Sequence, residues 1–420
     1  MSKRKYRLVH FKSLDWPSMA ATAGDGVVRF AVDVAKHDFV AQLEDAQGTR
    51  LALMKWKHPG ETRALLDTLL EHVRADRLEV ILEPTGTYGD VLRWHFEQAG
   101  AAVYRVDAKR VHDGREFYDG VPSLHDGKAA GIIAEIHRTG RSRRWRWHED
   151  ARRDQLACLK LLKHCQRRQQ RALNQLEAVL SRHWPELDEL CSLERASVHA
   201  LLAHYGEPRA VAADLDGAHA LLARVGGPLL KKGKREAIVA SAVRSLGVPC
   251  RTSEREEIRW LAEELQAMRQ EIARHEKALG ERVEGHPAQE QMAPVIGKTS
   301  AAALYVTLGD PRDYAHARAW LKSAGLNLKQ RQSGQYSGQL KLTKRGPGLA
   351  RHFLYMAVLR WMQDDPLARR WYEAKVARDG GLKMKALIAL MRKLAKGLWA
   401  ASRRGEAFDS TRLFGVSPKG

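Results

Sequence analysis

An α/β domain followed by a mainly helical region is the fold class that this sequence predicts. Three observations carry it. Residues 26–56 hold three short apolar runs joined by AKHD and AQG, as antiparallel hairpins require. Residues 61–108 then alternate helical and strand patterns. From about residue 137 onward, apolar residues recur at spacings of three and four, the period of helices. A chain of 420 residues predicts two or three domains, and 44% hydrophobic residues suffice for real cores.

The first 25 residues, opening MSKRKYRLVHFKSLDWPSM, are basic and lack the apolar centre of a signal peptide, so they read as a mobile basic arm. Three strands follow: GVVRFAVDVA, DFVAQLED and TRLALMKW. A helix comes next around 61–74, where Leu65, Leu66, Leu69, Leu70 and Val73 form one apolar stripe. RLEVILE is a fourth strand, YGDVLRWHFEQAG a second helix and AAVYRVDA a fifth strand. This order is that of a ribonuclease H-like fold, expected over 26–145. In the first strand Val28, Phe30, Val32 and Val34 share one face and leave Asp33 on the other. In the fourth, Val80 and Leu82 point away from Glu83. The fold sets these two strands side by side, so the two acids can converge.

Residues 146–287 read as a helical and coiled-coil region. Within 254–280, Ile258, Leu261, Leu265, Met268, Ile272, His275 and Leu279 trace about three heptads of an a/d seam, which predicts pairing with a second copy, burial against the chain's own helices being the alternative. A C-terminal domain is expected over 288–405, with a tail over 406–420. It opens on a turn at Gly297 before a small-residue helix, whose N–H groups can face phosphates. A loop of small and polar residues, NLKQRQSGQYSGQLKLTKRGPG, precedes two apolar helices.

The chain carries 71 Lys and Arg against 50 Asp and Glu, a net charge of +21. That balance favours a polyanionic partner. No apolar run approaches the roughly 20 residues that span a bilayer. Cys158, Cys165, Cys191 and Cys250 are scattered, with neither a disulfide framework nor a zinc pattern. A cytoplasmic, nucleoid-associated protein without membrane contact is expected.

Three groups of residues point to chemistry. Acids at strand ends are costly to bury unless compensated. Asp33, Glu83 and Asp126 together therefore suggest ligands for Mg²⁺ (or Mn²⁺), which prefers hard oxygen donors; each alone can equally be a cap or an ion-pair partner. The loop around Ser333 sets hydroxyls beside glycines, with Lys341, Lys344 and Arg345 near enough to neutralise phosphate. A serine there can act as a nucleophile; a solvated, phosphate-contacting turn is the alternative. Residues 138–171 hold twelve Arg or Lys and three acids, with Trp145 and Trp147 between them. Arg141, Arg143, Arg144, Arg146, Arg152 and Arg153 are candidate backbone contacts, with the indoles stacking on bases; a solvated helix face with two core tryptophans is the alternative.

The blocks AVDVAKHDF, LEPTGTY, HDGKAA, VIGKTSAAALYVTLGD, AGLNLKQRQSG and LTKRGPGLARHFLY resemble the insertion-sequence one-ten transposases, bridge-RNA-guided DEDD recombinases. The similarity covers roughly 26–140 and 288–400. It implies a RuvC-like domain with four acidic metal ligands and a C-terminal transposase domain bearing a serine nucleophile. It also implies a structured guide RNA from the element that pairs with donor and target DNA, and a dimer or tetramer. Asp33, Glu83 and Asp126 match the first three acids; Ser333 matches the serine nucleophile best, with Ser337 as the fallback. Position 129, where the family's fourth acid stands, is Ala129 here. Asp119 is the candidate to compensate for it, since Glu135 is half a turn out of phase. The expected function is an RNA-guided DNA recombinase of a mobile element. A hydrolytic Holliday-junction-type nuclease and a non-catalytic RNA- or DNA-binding protein are the rivals.

Overall fold

The computed structural model describes residues 6–330, 332–333, 336–338 and 340–415. The chain divides into two compact units, 1–148 and 149–420.

The first unit is built on a seven-stranded sheet, in the order β1-β4-β3-β2-β5-β6-β7. Its strands are β1 (Val9–His10), β2 (Val28–Asp33), β3 (Asp38–Glu44), β4 (Arg50–Lys57), β5 (Leu78–Leu82), β6 (Ala102–Arg105) and β7 (Arg143–Arg144). The predicted hairpins form β2–β3 and β3–β4, antiparallel, while β5 and β6 join β2 in parallel. Alternation sorts the side chains. Val28, Phe30, Val32, Val80 and Leu82 enter one core with the helices α2 (Thr62–His72) and α3 (Asp90–Gln98). Ala31 and Ile81 face the opposite way, toward α4 (Ala108–Asp119) and α5 (Asp126–Arg138).

The N-terminal segment is not an arm over its described length. β1 pairs in parallel with β4, and α1 (Trp16–Ala23) follows it. Phe11 and Trp16 are buried in the main core, and the Trp16 indole N–H donates to the Phe11 carbonyl at 3.1 Å. Apolar residues at 9, 11, 14, 16 and 19 supply enough burial to order a basic segment.

The second unit contains α6 (Asp150–His183), α7 (Glu186–Leu190), α8 (Ala196–Tyr205), α9 (Pro208–Ala213), α10 (Leu215–Gly226), α11 (Lys232–Val243), α12 (Thr252–Glu281), α13 (Pro287–Ile296) and α14 (Lys298–Leu308). After them come α15 (Ala317–Ser323), the short strands β8 (Leu328–Lys329), β9 (Gln332–Ser333), β10 (Tyr336–Ser337) and β11 (Lys341–Leu342), then α16 (Gly348–Asp364), α17 (Pro366–Arg378), α18 (Lys383–Arg404) and α19 (Thr411–Phe414). The regions expected at 146–287 and 288–405 thus fold together, sharing a cluster in which Leu159 and Leu162 meet Ala302, Ala303 and Phe353.

The heptad stripe of α12 packs within its own chain, against the prediction of an intermolecular coiled coil. Ile258, Leu261 and Leu265 are buried with residues of α6 and α8. Helices α6 and α12 run antiparallel: Gln155 donates to the Arg282 carbonyl at 3.2 Å, Arg168 to Glu264 at 2.7 Å, and Arg182 pairs with Glu254 at 3.2 Å. A seam of this kind needs a facing helix, and α6 supplies it. The described part of the tail also packs: Phe408 and Phe414 lie 5.6 and 5.7 Å from the Trp361 ring. All four cysteines are free thiols. Among the described residues, no helix is long and apolar enough to cross a membrane.

Candidate active site

The parallel pairing of β2 with β5 ends at Val32 and Leu82, and that of β5 with β6 at Leu82 and Arg105. Asp33, at the end of β2, and Glu83, just past β5, therefore emerge at the same edge of the sheet on neighbouring strands. Adjacent strands lie about 4.8 Å apart. Asp126 is the first residue of α5, which packs across β2 and β3. Asp126 and Glu83 both lie near enough to Asp33 for their charges to act on it. Burial, then the nearby charges of Asp126 and Glu83, push the half-buried Asp33 carboxyl up to about 7. Burial also raises Glu83, with a further contribution from Asp107.

Asp107 was not among the sequence candidates. It follows β6, the third strand of the parallel set, and its carboxylate caps α4 by accepting from the Lys109 N–H at 3.0 Å. The signal was in YRVDA, an acid at the end of an apolar strand, the same pattern that singled out Asp33. Gly86, three residues after Glu83, has φ of 59°, a left-handed backbone that glycine adopts without strain.

The remaining candidates resolve differently. Ala129 is 5% exposed in the cluster formed with Ala31, Ile81 and Val106. Asp119 does not replace the missing acid. Its carboxylate pairs with the wholly buried Lys128 at 2.6 Å and accepts from the Tyr6 hydroxyl at 2.6 Å. Those two hydrogen bonds, Lys128's the larger, hold it down at about 2. An acid already neutralised by a lysine is a poor ligand for a cation. The Lys128 ammonium also donates to the carbonyls of Val121 at 2.6 Å and Ser123 at 2.8 Å, tying down the loop that delivers Asp126. Lys128→Met should lower the melting temperature by several degrees, because it strands a buried carboxylate. Adding Asp119→Asn should recover part of the loss in a thermal melt; equal melting of all three proteins would contradict this role.

No Lys or Arg forms an ion pair with Asp33, Glu83 or Asp126 among the described residues. A set of carboxylates that repel one another without a compensating cation suits a hard divalent ion. Among the described residues, no three such side chains close into a ligand shell.

Ser333 is exposed on β9, paired antiparallel with Tyr336. The strands β8 and β11 pair through Lys329 and Lys341 in a separate two-stranded sheet. Lys341, Lys344 and Arg345 are all exposed. Lys344 has φ of 54°, the one left-handed non-glycine residue among those described, at a position where its N–H is held by the Gly325 carbonyl at 3.0 Å. Ser337 has a described backbone, opposite Gln332; its side chain lies outside the described residues.

The tryptophans expected to stack on bases are otherwise engaged. The Arg93 guanidinium is buried against both, 4.2 Å from the Trp145 ring and 4.4 Å from that of Trp147. The Trp147 backbone N–H donates to Glu97 at 2.7 Å. Stacking on a guanidinium takes up ring area that a base would need. Arg141, Arg143, Arg144 and Arg146 remain exposed, with Arg143 and Arg144 forming the outermost strand, β7. In the second unit, Arg152 donates to the Val306 carbonyl at 3.1 Å and Arg153 pairs with Asp150 at 2.8 Å, so both are partly committed to structure.

Two family models match this chain. Residues 30–185 match the transposase model of DEDD type from IS110 elements, and residues 291–373 match the model described as Transposase IS116/IS110/IS902 family. Together they cover more than half of the chain. The chain belongs to the IS110/IS902 family of transposases. Among curated relatives, the uncharacterized 42 kDa protein of insertion element IS900 from Mycobacterium paratuberculosis is 28% identical over 73% of this chain and 77% of its own. The uncharacterized 43.6 kDa protein of IS110 from Streptomyces coelicolor is 25% identical over 59% of this chain, a match spanning 62% of that relative's length. A probable family 20 transposase from Pseudomonas aeruginosa is 30% identical over 35% of this chain and 45% of its own. The first match brackets the acidic edge of the sheet and the second the Ser333 hairpin.

Proposed function

We propose that this transposase is an RNA-guided DNA recombinase that cuts and rejoins strands through Ser333 with the help of divalent metal. The observation that supports the reading is that Asp33 and Glu83 lie at the ends of neighbouring strands, with Asp126 near enough to raise Asp33 and no basic ion-pair partner among the described residues, in a chain of net charge +21. Asp33, Glu83 and Asp126 would hold Mg²⁺ or Mn²⁺, with Asp107 as the fourth carboxylate that Ala129 cannot supply. When bound, the ion stabilises charge on the attacking and leaving oxygens of phosphoryl transfer.

The chain's own groups have distinct tasks. The Ser333 hydroxyl attacks the phosphodiester phosphorus and loses its proton. The bond to the strand's oxygen breaks, and that oxygen leaves as a hydroxyl once protonated. The resulting phosphoserine ester keeps the bond energy needed to rejoin strands, so no external energy source is required. Lys341, Lys344 and Arg345 neutralise phosphate beside the serine. By the family resemblance, a guide RNA from the element selects donor and target DNA by base pairing, and serine and acids come from different subunits of a dimer or tetramer.

The test incubates the protein with RNA transcribed from the element's flank, a supercoiled donor plasmid and Mg²⁺. Strand breakage that needs all of these supports the reading; equal breakage without RNA removes the guide from it. The fourth ligand is checked by Mn²⁺ binding, followed by electron paramagnetic resonance. Asp107→Asn keeps the helix cap, since asparagine caps as well as aspartate, yet should weaken Mn²⁺ by roughly tenfold or more. Affinity equal to the parent's would show that three carboxylates suffice.

A further inference from the structure

We infer that Lys160, Lys163, Arg167 and Arg171 of α6, with Lys163 braced on His352 of α16, form a built track for a nucleic-acid phosphodiester backbone. The four cations stand at spacings of three, four and four, which aligns them on one helix face. At 1.5 Å rise per residue they extend over about 16 Å, the reach of several successive phosphates. The opposite face of α6 is the buried one, carrying Cys158, Leu162, Cys165, Ala172 and Leu176. Each of the four lacks a carboxylate partner among the described residues, whereas Arg168, one step round the helix, pairs with Glu264 at 2.7 Å.

Lys163 shows that the track is constructed and not simply solvated. Its neighbour Leu162 and the neighbour of His352, Phe353, lie in one apolar cluster, which fixes α6 against α16. The Lys163 ammonium is thereby set 2.9 Å from His352 Nε2 and donates to it. Burial and the adjacent Arg167 both lower Lys163, and burial, Lys163 and Arg167 lower His352. Like charges held together at a helix contact, with no acid between them, are relieved by an anion. A phosphate oxygen would accept from Lys163 and Arg167 together. The inference rests on the reading that the partner is nucleic acid, but not on the acids or on Ser333.

Binding of the full-length protein to labelled 30-base-pair DNA and to a structured RNA tests it, by fluorescence anisotropy across a salt series. Lys163→Gln with Arg167→Gln should weaken binding by roughly tenfold, and for DNA should reduce the slope of log affinity against log salt by about 2. Lys231→Gln with Lys234→Gln on the exposed start of α11 removes the same charge elsewhere and should leave the slope within half that change. Loss confined to one ligand assigns the track to DNA or to RNA. An unchanged slope, or an equal loss in the α11 control, would overturn the inference. Because only binding is read, the track can fail while metal-dependent strand breakage stands, and the reverse.

Discussion

Asp33→Asn should abolish strand breakage while making the metal-free protein more stable. The activity loss should be at least about a thousandfold, since stabilising the charge that develops in transfer is usually the largest catalytic term. The stability gain follows from the raised carboxyl. Between 3.8, the ordinary value, and about 7, the folded protein holds a proton at Asp33 that the unfolded chain has released. Folded protein then binds more protons than unfolded, so stability falls as pH rises through that window. Asparagine removes the slope. Urea unfolding of the first unit's signal at pH 5 and pH 8, without divalent ions, should show the decline in the parent and a flatter response in the variant. Mg²⁺ should raise the parent's melting temperature at pH 8 and leave the variant unmoved. Identical pH slopes in both proteins would contradict the assignment of Asp33 to a charge-strained site.

Ser333→Ala should eliminate any covalent protein–DNA species, while Mn²⁺ binding by the acids stays at the parent's level. Alanine removes the hydroxyl from an exposed strand residue, so folding should be unaffected, and thermal melts should coincide. Ser337→Ala should retain most covalent product. If Ser333→Ala still produced a covalent species and Ser337→Ala did not, the nucleophile would be the second serine of the hairpin.

The sheet was legible because its strands obey simple patterning. Val28, Phe30, Val32 and Val34 alternate with Asp33, and the short links AKHD and AQG permit only hairpins. The placement of Asp33 and Glu83 at the ends of neighbouring strands followed from topology alone. What escaped notice depended on tertiary packing. The basic N-terminus concealed Phe11 and Trp16, whose burial orders it. The heptads of α12 identify a seam but not its partner, and α6, about a hundred residues earlier, fills it. Asp119 looked free to bind metal because the sequence does not show Lys128 turning inward to meet it. Asp107 was readable as an acid at a strand end, but its relevance depended on β6 lying beside β5. Trp145 and Trp147 carry the composition of a stacking platform, and Arg93, fifty residues earlier, occupies it.

The most direct measurement traps the reaction on donor DNA carrying a nick beside the scissile phosphate, in the presence of guide RNA and Mg²⁺. Digestion of the adduct and mass spectrometry of its peptides then identifies the modified residue. A nucleotide on Ser333, absent from the Asp33→Asn protein, is the predicted result. Strands cut with no peptide modified would contradict it and establish a hydrolytic nuclease.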